Sequence, residues 1–221
     1  KEDFLYLSYR NFRPMVPGCG FDETFSMELN RQEYPGFGTT DLGTSAYQIE
    51  CENGSRVSAF KYESHTIYSG KKVLDGLPST YAGEADAMSL GVTLYDVAAD
   101  VRMVLTYTIY NTLAVVTRSV RFVNCGKKQV VLNKALSACV DLPDQNYEWM
   151  QFSGAWARER KPIVRKIECG VVSIESKRGG SSPNQNPFII VKRPNTDAIS
   201  GEANGMSFVY SGNFVALAAA D

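Results

Sequence analysis

Hydrophobic and polar positions alternate with a two-residue period over much of this chain. Residues 90–95, 101–110, 115–123 and 130–142 carry β-branched or aromatic side chains at every second position. That is the spacing of half-buried strands, not of helices. Asn111-Thr112 and Asn124-Cys125-Gly126 supply turn residues between successive runs. Upstream, 46–50 and 56–62 alternate on either side of Asn53-Gly54, a dipeptide suited to a type I′ turn, which predicts a hairpin. The same dipeptide with Ser55 matches a glycosylation acceptor, but the turn accounts for it. Further strands are expected at 25–29, 188–192, 206–210 and 213–219, the last two joined as a hairpin through Ser211-Gly212. Only 84–88 hints at helix. Prolines and glycines break up the rest of 1–31, and 34–44 reads as a glycine-rich loop. Short strands separated by turns predict an all-β fold of stacked, mostly antiparallel sheets.

At 221 residues and 44% hydrophobic content, the chain is long enough to bury roughly 70–75% of its unfolded surface. Lys and Arg number 23 against 24 Asp and Glu, a net charge of −1. This balance excludes a nucleic-acid binder, which needs a concentrated basic face. The local basic run of Arg158, Arg160, Lys161, Arg165 and Lys166 is interspersed with Glu159 and Glu168 and reads as a solvated loop. Five scattered cysteines and a single histidine fit neither a disulfide framework nor a zinc site. Reduced thiols packing as small hydrophobes point to the cytoplasm. No apolar run approaches a membrane span. The chain opens at Lys1 without Met and stops in an apolar run at Asp221, as a piece of a longer protein would.

Chemistry concentrates between 142 and 188. Both tryptophans (Trp149, Trp156) lie there, with an Arg158-Glu159-Arg160 cluster and a Ser-Asn-Gln loop at 181–186. Aromatic rings stack on the C–H faces of sugars while amides bond hydroxyls, so Trp149, Trp156, Tyr147 and that loop form one candidate binding group. Core filling is the competing reading for each tryptophan. Asp41, Asp141, Asp144, Glu148 and Glu159 are candidates for the facing carboxylates that glycoside hydrolysis needs, although sequence spacing establishes no such pair. Glu159 between two arginines suits a structural ion pair. His65 stands alone and reads as structural. Motifs for a serine hydrolase, NTPase or zincin are absent, and no cofactor or metal is expected.

SGAWARER at 153–160, SIESKRGGSS at 173–182 and NPF at 186–188 resemble the amino-terminal domain of the family thirty-six glycoside hydrolases, the α-galactosidases. ENGSRVSAFKY at 52–62, SHTIYSGK at 64–71, LDGLPSTY at 74–81, TRSVRFVN at 117–124, ALSACVDLPD at 135–144 and VYSGNF at 209–214 agree, in the family's order. The resemblance implies a single amino-terminal β-supersandwich domain over 1–221, ahead of a catalytic (β/α)-barrel. The family's nucleophile lies in a K-W-D-x-N-like barrel segment with the acid/base aspartate beyond it, and this chain has neither pattern. A non-catalytic part of a retaining enzyme is therefore implied, one that removes terminal α-galactose from melibiose- or raffinose-type sugars. Its implied partners are the barrel of the same protein, the galactoside substrate and further copies in a homo-oligomer, with no nucleic acid or membrane.

In that family a loop of this domain approaches a sugar site on a neighbouring subunit. Its pattern, Y-G-x-x-D-Y-R-x-P-A, becomes FGTTDLGTSA at 37–46, which keeps the aspartate as Asp41 and loses the Tyr, Arg and Pro after it. The family's S-S-H-Q-H-N-P-F becomes SSPNQNPF at 181–188. Both histidines are gone, Gln185 stands in place of the second, and Asn186 matches. Asp41, Gln185 and Asn186 are the implied substrate-side residues. Two other readings stay open: a stand-alone, lectin-like galactoside binder using Trp149 or Trp156, and a pure assembly surface.

Overall fold

A computed structural model describes residues 32–39, 44–180, 182 and 184–220. The strand expected at 25–29 lies outside them. The described residues form strands and no helix: β1 (Tyr47–Cys51), β2 (Lys61–Ser69), β3 (Ala87–Asp96), β4 (Val101–Tyr110), β5 (Val116–Asn124), β6 (Val130–Ala135), β7 (Glu148–Ala155), β8 (Arg158–Lys166), β9 (Gly170–Ser176), β10 (Gln185–Lys192), β11 (Ala203–Ser207) and β12 (Phe214–Ala220). Residues 84–86, where helix was hinted, are a turn. The Gly83 N–H donates to Asp86 Oδ2 at 3.0 Å and the Asp86 N–H to the Gly83 carbonyl at 3.1 Å, and β3 follows at once. The all-β expectation holds.

The chain divides into two compact units. The first runs to Lys72 and resumes from Tyr81 to Asp141. Its larger sheet has the antiparallel order β2-β3-β4-β5, and its smaller one pairs β1 with β6. Alternation puts Val92, Leu94, Met103, Leu105, Val120 and Phe122 on one face of the larger sheet, where they meet Tyr47 and Ile49 of β1 in a shared core. Tyr47 is the hub of an aromatic cluster, stacked on Tyr34 at 5.4 Å and edge-on to Phe60 at 5.5 Å. Asp96 is buried at the end of β3 because three backbone N–H groups, of Ala59, Ala98 and Ala99, donate to its carboxylate at 2.6–3.0 Å.

The Asn53-Gly54 turn forms, with Gly54 at a φ of +80° and its N–H donating to the Cys51 carbonyl at 2.8 Å. The hairpin expected around it does not. β1 takes β6 as its neighbour, from nearly eighty positions later in the chain. Residues 56–60 instead cross to the other sheet, where Phe60 enters the core and Ala59 N–H finds Asp96. Burial of an aromatic outweighed a local pairing. Strands β3, β4 and β5 form the meander that alternation predicts, while β6 leaves it to join β1.

The second unit takes Val73–Thr80 and the chain from Leu142 onward. It has a sheet of order β11-β10-β7-β8 and a β9–β12 pair. Trp149, Ile189 and Val191 from the first meet Ile174 and Phe214 from the second in one core, joined by Tyr147 just ahead of β7. The hairpin expected through Ser211-Gly212 is absent, because β11 pairs with β10 and β12 with β9. The basic run read as a loop is the edge strand β8, where Pro162 is tolerated opposite Phe152.

Candidate functional site

In the second unit, β7 carries Trp149, Gln151 and Ser153 on one face, and their side chains hand hydrogen bonds along the strand. Trp149 Nε1 donates to Gln151 Oε1 at 3.0 Å, Gln151 Nε2 to Ser153 Oγ at 3.1 Å, and the Ser153 hydroxyl to Gln185 Oε1 at 3.0 Å. The ladder starts at a fully buried indole and ends at the start of β10, in the loop singled out from the sequence. Gln185 also pairs with Ser153 in the sheet, and the Gly154 N–H donates to the Asn184 carbonyl at 3.3 Å. Gln185 is thus held by its oxygen, and its amide nitrogen makes no hydrogen bond among the described residues. Asn186 is half-buried beside it.

Ser182, bridged to Gln185, buries a hydroxyl that has no hydrogen-bond partner among the described residues. Farther along the same loop, the Gly179 N–H donates to Asn213 Oδ1 at 2.6 Å. The loop is therefore pinned at both ends. Asp41 lies outside the described residues, so it is not placed beside Gln185 and Asn186.

Past Ser153, β7 turns back into β8 through Trp156-Ala157, with Ala155 paired to Arg158. Gly154 is required there: a Cβ would sit 2.4 Å from the Arg158 carbonyl oxygen and 2.9 Å from Glu159 Cα, both backbone atoms. Ala157 (φ +64°) and Arg160 (φ +54°) adopt left-handed backbone conformations. The Glu159 carboxylate accepts the Ala157 N–H at 2.8 Å, closing the turn rather than serving the expected ion pair with its neighbouring arginines. Trp156 at the tip is 89% exposed, while Trp149 is 0% exposed. Core filling is correct for Trp149, which no sugar can reach, and incorrect for Trp156.

The other candidate carboxylates are committed elsewhere. Asp144 holds Arg193 through both oxygens, at 2.5 and 3.0 Å, and Glu148 holds Lys192 at 2.6 Å. Arg193 also reaches Glu202 at 3.1 Å and stacks on the Tyr147 ring at 3.9 Å, and the Tyr147 hydroxyl donates to Glu202 at 2.9 Å. The guanidinium hydrogen bonds hold Asp144 below the usual carboxylate range, and the Tyr147 and Arg193 hydrogen bonds do the same for Glu202. These groups are suited to closing an end of the unit, not to donating protons. His65 is exposed on β2 with Nδ1 2.5 Å from the Tyr62 hydroxyl. Among the described residues no group of His, Cys, Asp and Glu is arranged to hold a metal.

The model of the Glycosyl hydrolase family 36 N-terminal domain matches residues 6–221. The chain belongs to that family. Alpha-galactosidase AgaA of Geobacillus stearothermophilus is 46% identical over 196 residues, which cover 88% of this chain and 27% of the relative. Alpha-galactosidase 2 of Hypocrea jecorina is 39% identical, covering 83% and 25%. Among solved structures, the GH36 alpha-galactosidase AgaB of Geobacillus stearothermophilus superposes with a TM-score of 0.87 at 44% identity, over 96% of this chain and 29% of that one. A variant of AgaA in complex with raffinose gives 0.87 at 45% identity, with the same coverage. This family 36 domain thus spans about a quarter of the length of the curated relatives it matches.

Proposed function

We propose that this chain is the non-catalytic amino-terminal domain of an α-galactosidase that hydrolyses terminal α-galactosides of the melibiose or raffinose type. In this reading both units make up one β-supersandwich domain. It packs against a catalytic barrel in the same polypeptide, supports a homo-oligomer and lends loops to the sugar site. The observation that carries it is the family match over nearly the whole chain, with relatives about four times longer that bear the name alpha-galactosidase. Gln185 at the start of β10 supports a substrate-side role, since its oxygen is held by Ser153 and its amide nitrogen makes no hydrogen bond among the described residues. Asp41, Gln185 and Asn186 are the residues assigned to the sugar. The setting is cytoplasmic, in keeping with four free thiols among the described residues. Replacing Asp41 or Gln185 by Ala in the intact polypeptide should raise KM for raffinose at least several-fold without altering assembly. Unchanged kinetics would leave the domain a pure assembly element.

One observation favours a second reading. Trp156, held at the tip of a closed turn and open to solvent, offers a flat face on which a galactoside can stack without help from a barrel. Calorimetry of the chain with melibiose or raffinose separates the two. A heat of binding abolished by Trp156→Ala supports a stand-alone binder, and no heat supports the domain reading.

A further inference from the structure

The Asn-Gly pair occurs twice in the chain, at 53–54 and 204–205, and the two stand in opposite settings. Asn53 is exposed in the turn that ends β1. Its Oδ1 accepts the Ser55 N–H at 3.0 Å, and its Nδ2 makes no hydrogen bond among the described residues. Gly54 has a φ of +80°, and a Cβ built on it would meet nothing within 4 Å. Its backbone nitrogen is tied by a single hydrogen bond, to the Cys51 carbonyl at 2.8 Å. Asn204 lies instead within β11, in register with Val191, while Gly205 is in register with Ile190. The Phe188 ring would stand 3.3 Å from a Cβ at Gly205, and the Asn204 amide donates to the Glu202 carboxylate. Asn124 repeats the first setting only in part. Its Oδ1 accepts the Gly126 N–H at 3.0 Å, but Cys125 follows it, and its Nδ2 is held by the Lys128 carbonyl at 2.8 Å.

We propose that Asn53 is a site of spontaneous deamidation, converted in place to aspartate and isoaspartate. Hydroxide takes the Gly54 amide proton, and the Gly54 nitrogen then attacks Asn53 Cγ. The Cγ–Nδ2 bond breaks, and the amide group leaves as ammonia after taking a proton from water. A five-membered succinimide ring now joins positions 53 and 54. Water adds to one of its two carbonyls: cleavage at Cγ gives aspartate, and cleavage at the backbone carbonyl gives isoaspartate. One water is consumed and one ammonia released, with no change of oxidation state. The Ser55 N–H donates to the oxygen that gathers negative charge as Cγ becomes tetrahedral, the role of an oxyanion donor. Freeing the Gly54 nitrogen requires only the opening of an exposed turn, whereas Asn204 can rotate only if β11 unzips. Isoaspartate lengthens the backbone by one atom. The turn then loses the fit that lets the Gly54 N–H reach Cys51 while the Cys51 N–H reaches the Ser55 carbonyl at 2.9 Å.

The test is to age the 221-residue chain in mildly alkaline buffer, folded and in concentrated urea, and to map its peptides by mass spectrometry. Isoaspartate is counted separately as methyl groups accepted from an isoaspartyl methyltransferase. In the folded chain, position 53 should deamidate at least tenfold faster than positions 204 and 124, and methyl acceptance should rise with it. In urea the rates at 53 and 204 should converge, because the two share the same dipeptide. Equal rates at 53 and 204 in the folded chain would overturn the proposal. So would a gain at 53 without methyl acceptance, or a preference for 53 that persists unchanged in urea. Asn53→Asp supplies the new charge without the longer backbone. Hydrogen exchange at Cys51 should be at least tenfold faster in the isoaspartate-containing chain than in Asn53→Asp, and equal exchange would contradict the loss of the turn.

Discussion

Ser153 donates its hydroxyl to Gln185 at 3.0 Å while accepting a hydrogen bond from Gln151. One side chain therefore joins the fully buried Trp149 to the loop assigned to sugar. Ser153→Ala breaks the ladder at its middle, leaving Gln151 Nε2 and Gln185 Oε1 without their partners. The loss should be about 1 kcal/mol, read as a lower midpoint in urea. In the intact polypeptide the same change should raise KM for raffinose more than it lowers kcat, because the positioning of Gln185 is what suffers.

The two tryptophans should respond oppositely. Trp149→Ala empties the centre of the second unit's core and should cost about 3–5 kcal/mol. Trp156→Ala removes a side chain at an exposed turn and should change stability by no more than about 0.5 kcal/mol. Denaturant titration of both variants checks this. Intrinsic fluorescence offers a second check, since Trp156 should account for the emission that acrylamide quenches.

Asp96 anchors the crossover that replaced the expected hairpin. Its three backbone donors lose their acceptor in Asp96→Ala, at about 2–3 kcal/mol. Asp96→Asn should cost less, because the amide oxygen still accepts. Hydrogen exchange should quicken at Ala59 and Ala99 in the alanine variant. Unchanged exchange there would mean that the carboxylate does not hold the crossover.

Alkaline pH should destabilise the first unit. Burial pushes the Cys139 thiol up to about 11 and raises the Tyr34, Tyr47 and Tyr107 phenols. Each group is therefore easier to ionise in the unfolded chain than in the folded one. Their stabilisation is complete below the ordinary thiol range and is lost as pH rises through the folded values. Thermal midpoints measured between pH 7 and 11 should hold steady to about pH 8.5 and then fall. At pH 8, iodoacetamide should label the exposed Cys125 and Cys169 well before Cys139.

Strand content was legible because a two-residue alternation survives in every sheet, and β3, β4 and β5 appear where it places them. Pairing was not. The Asn53-Gly54 turn is real, yet β1 chose β6, because the gain from burying Phe60 and pairing distant edges has no local signature. The hairpin at Ser211-Gly212 failed for the same reason. In the site, Gln185 was found from the family motif, while Ser153 was passed over. Its signal was present in the alternation of Trp149, Gln151 and Ser153, which puts three hydrogen-bonding side chains on one face. The sequence leaves binding and core filling open for both tryptophans alike, because hydrophobicity says nothing of a turn that holds Trp156 outward while Trp149 is enclosed.

In the proposed function, galactoside cleavage needs a catalytic portion that this domain supports. The direct test is to produce the polypeptide beyond residue 221 by itself and follow release of nitrophenol from an aryl α-galactoside, before and after adding this chain. The chain should give no turnover, the remainder weak turnover, and the mixture a saturable increase. Turnover by the purified chain alone, or a remainder whose rate and assembly ignore the added chain, would contradict it.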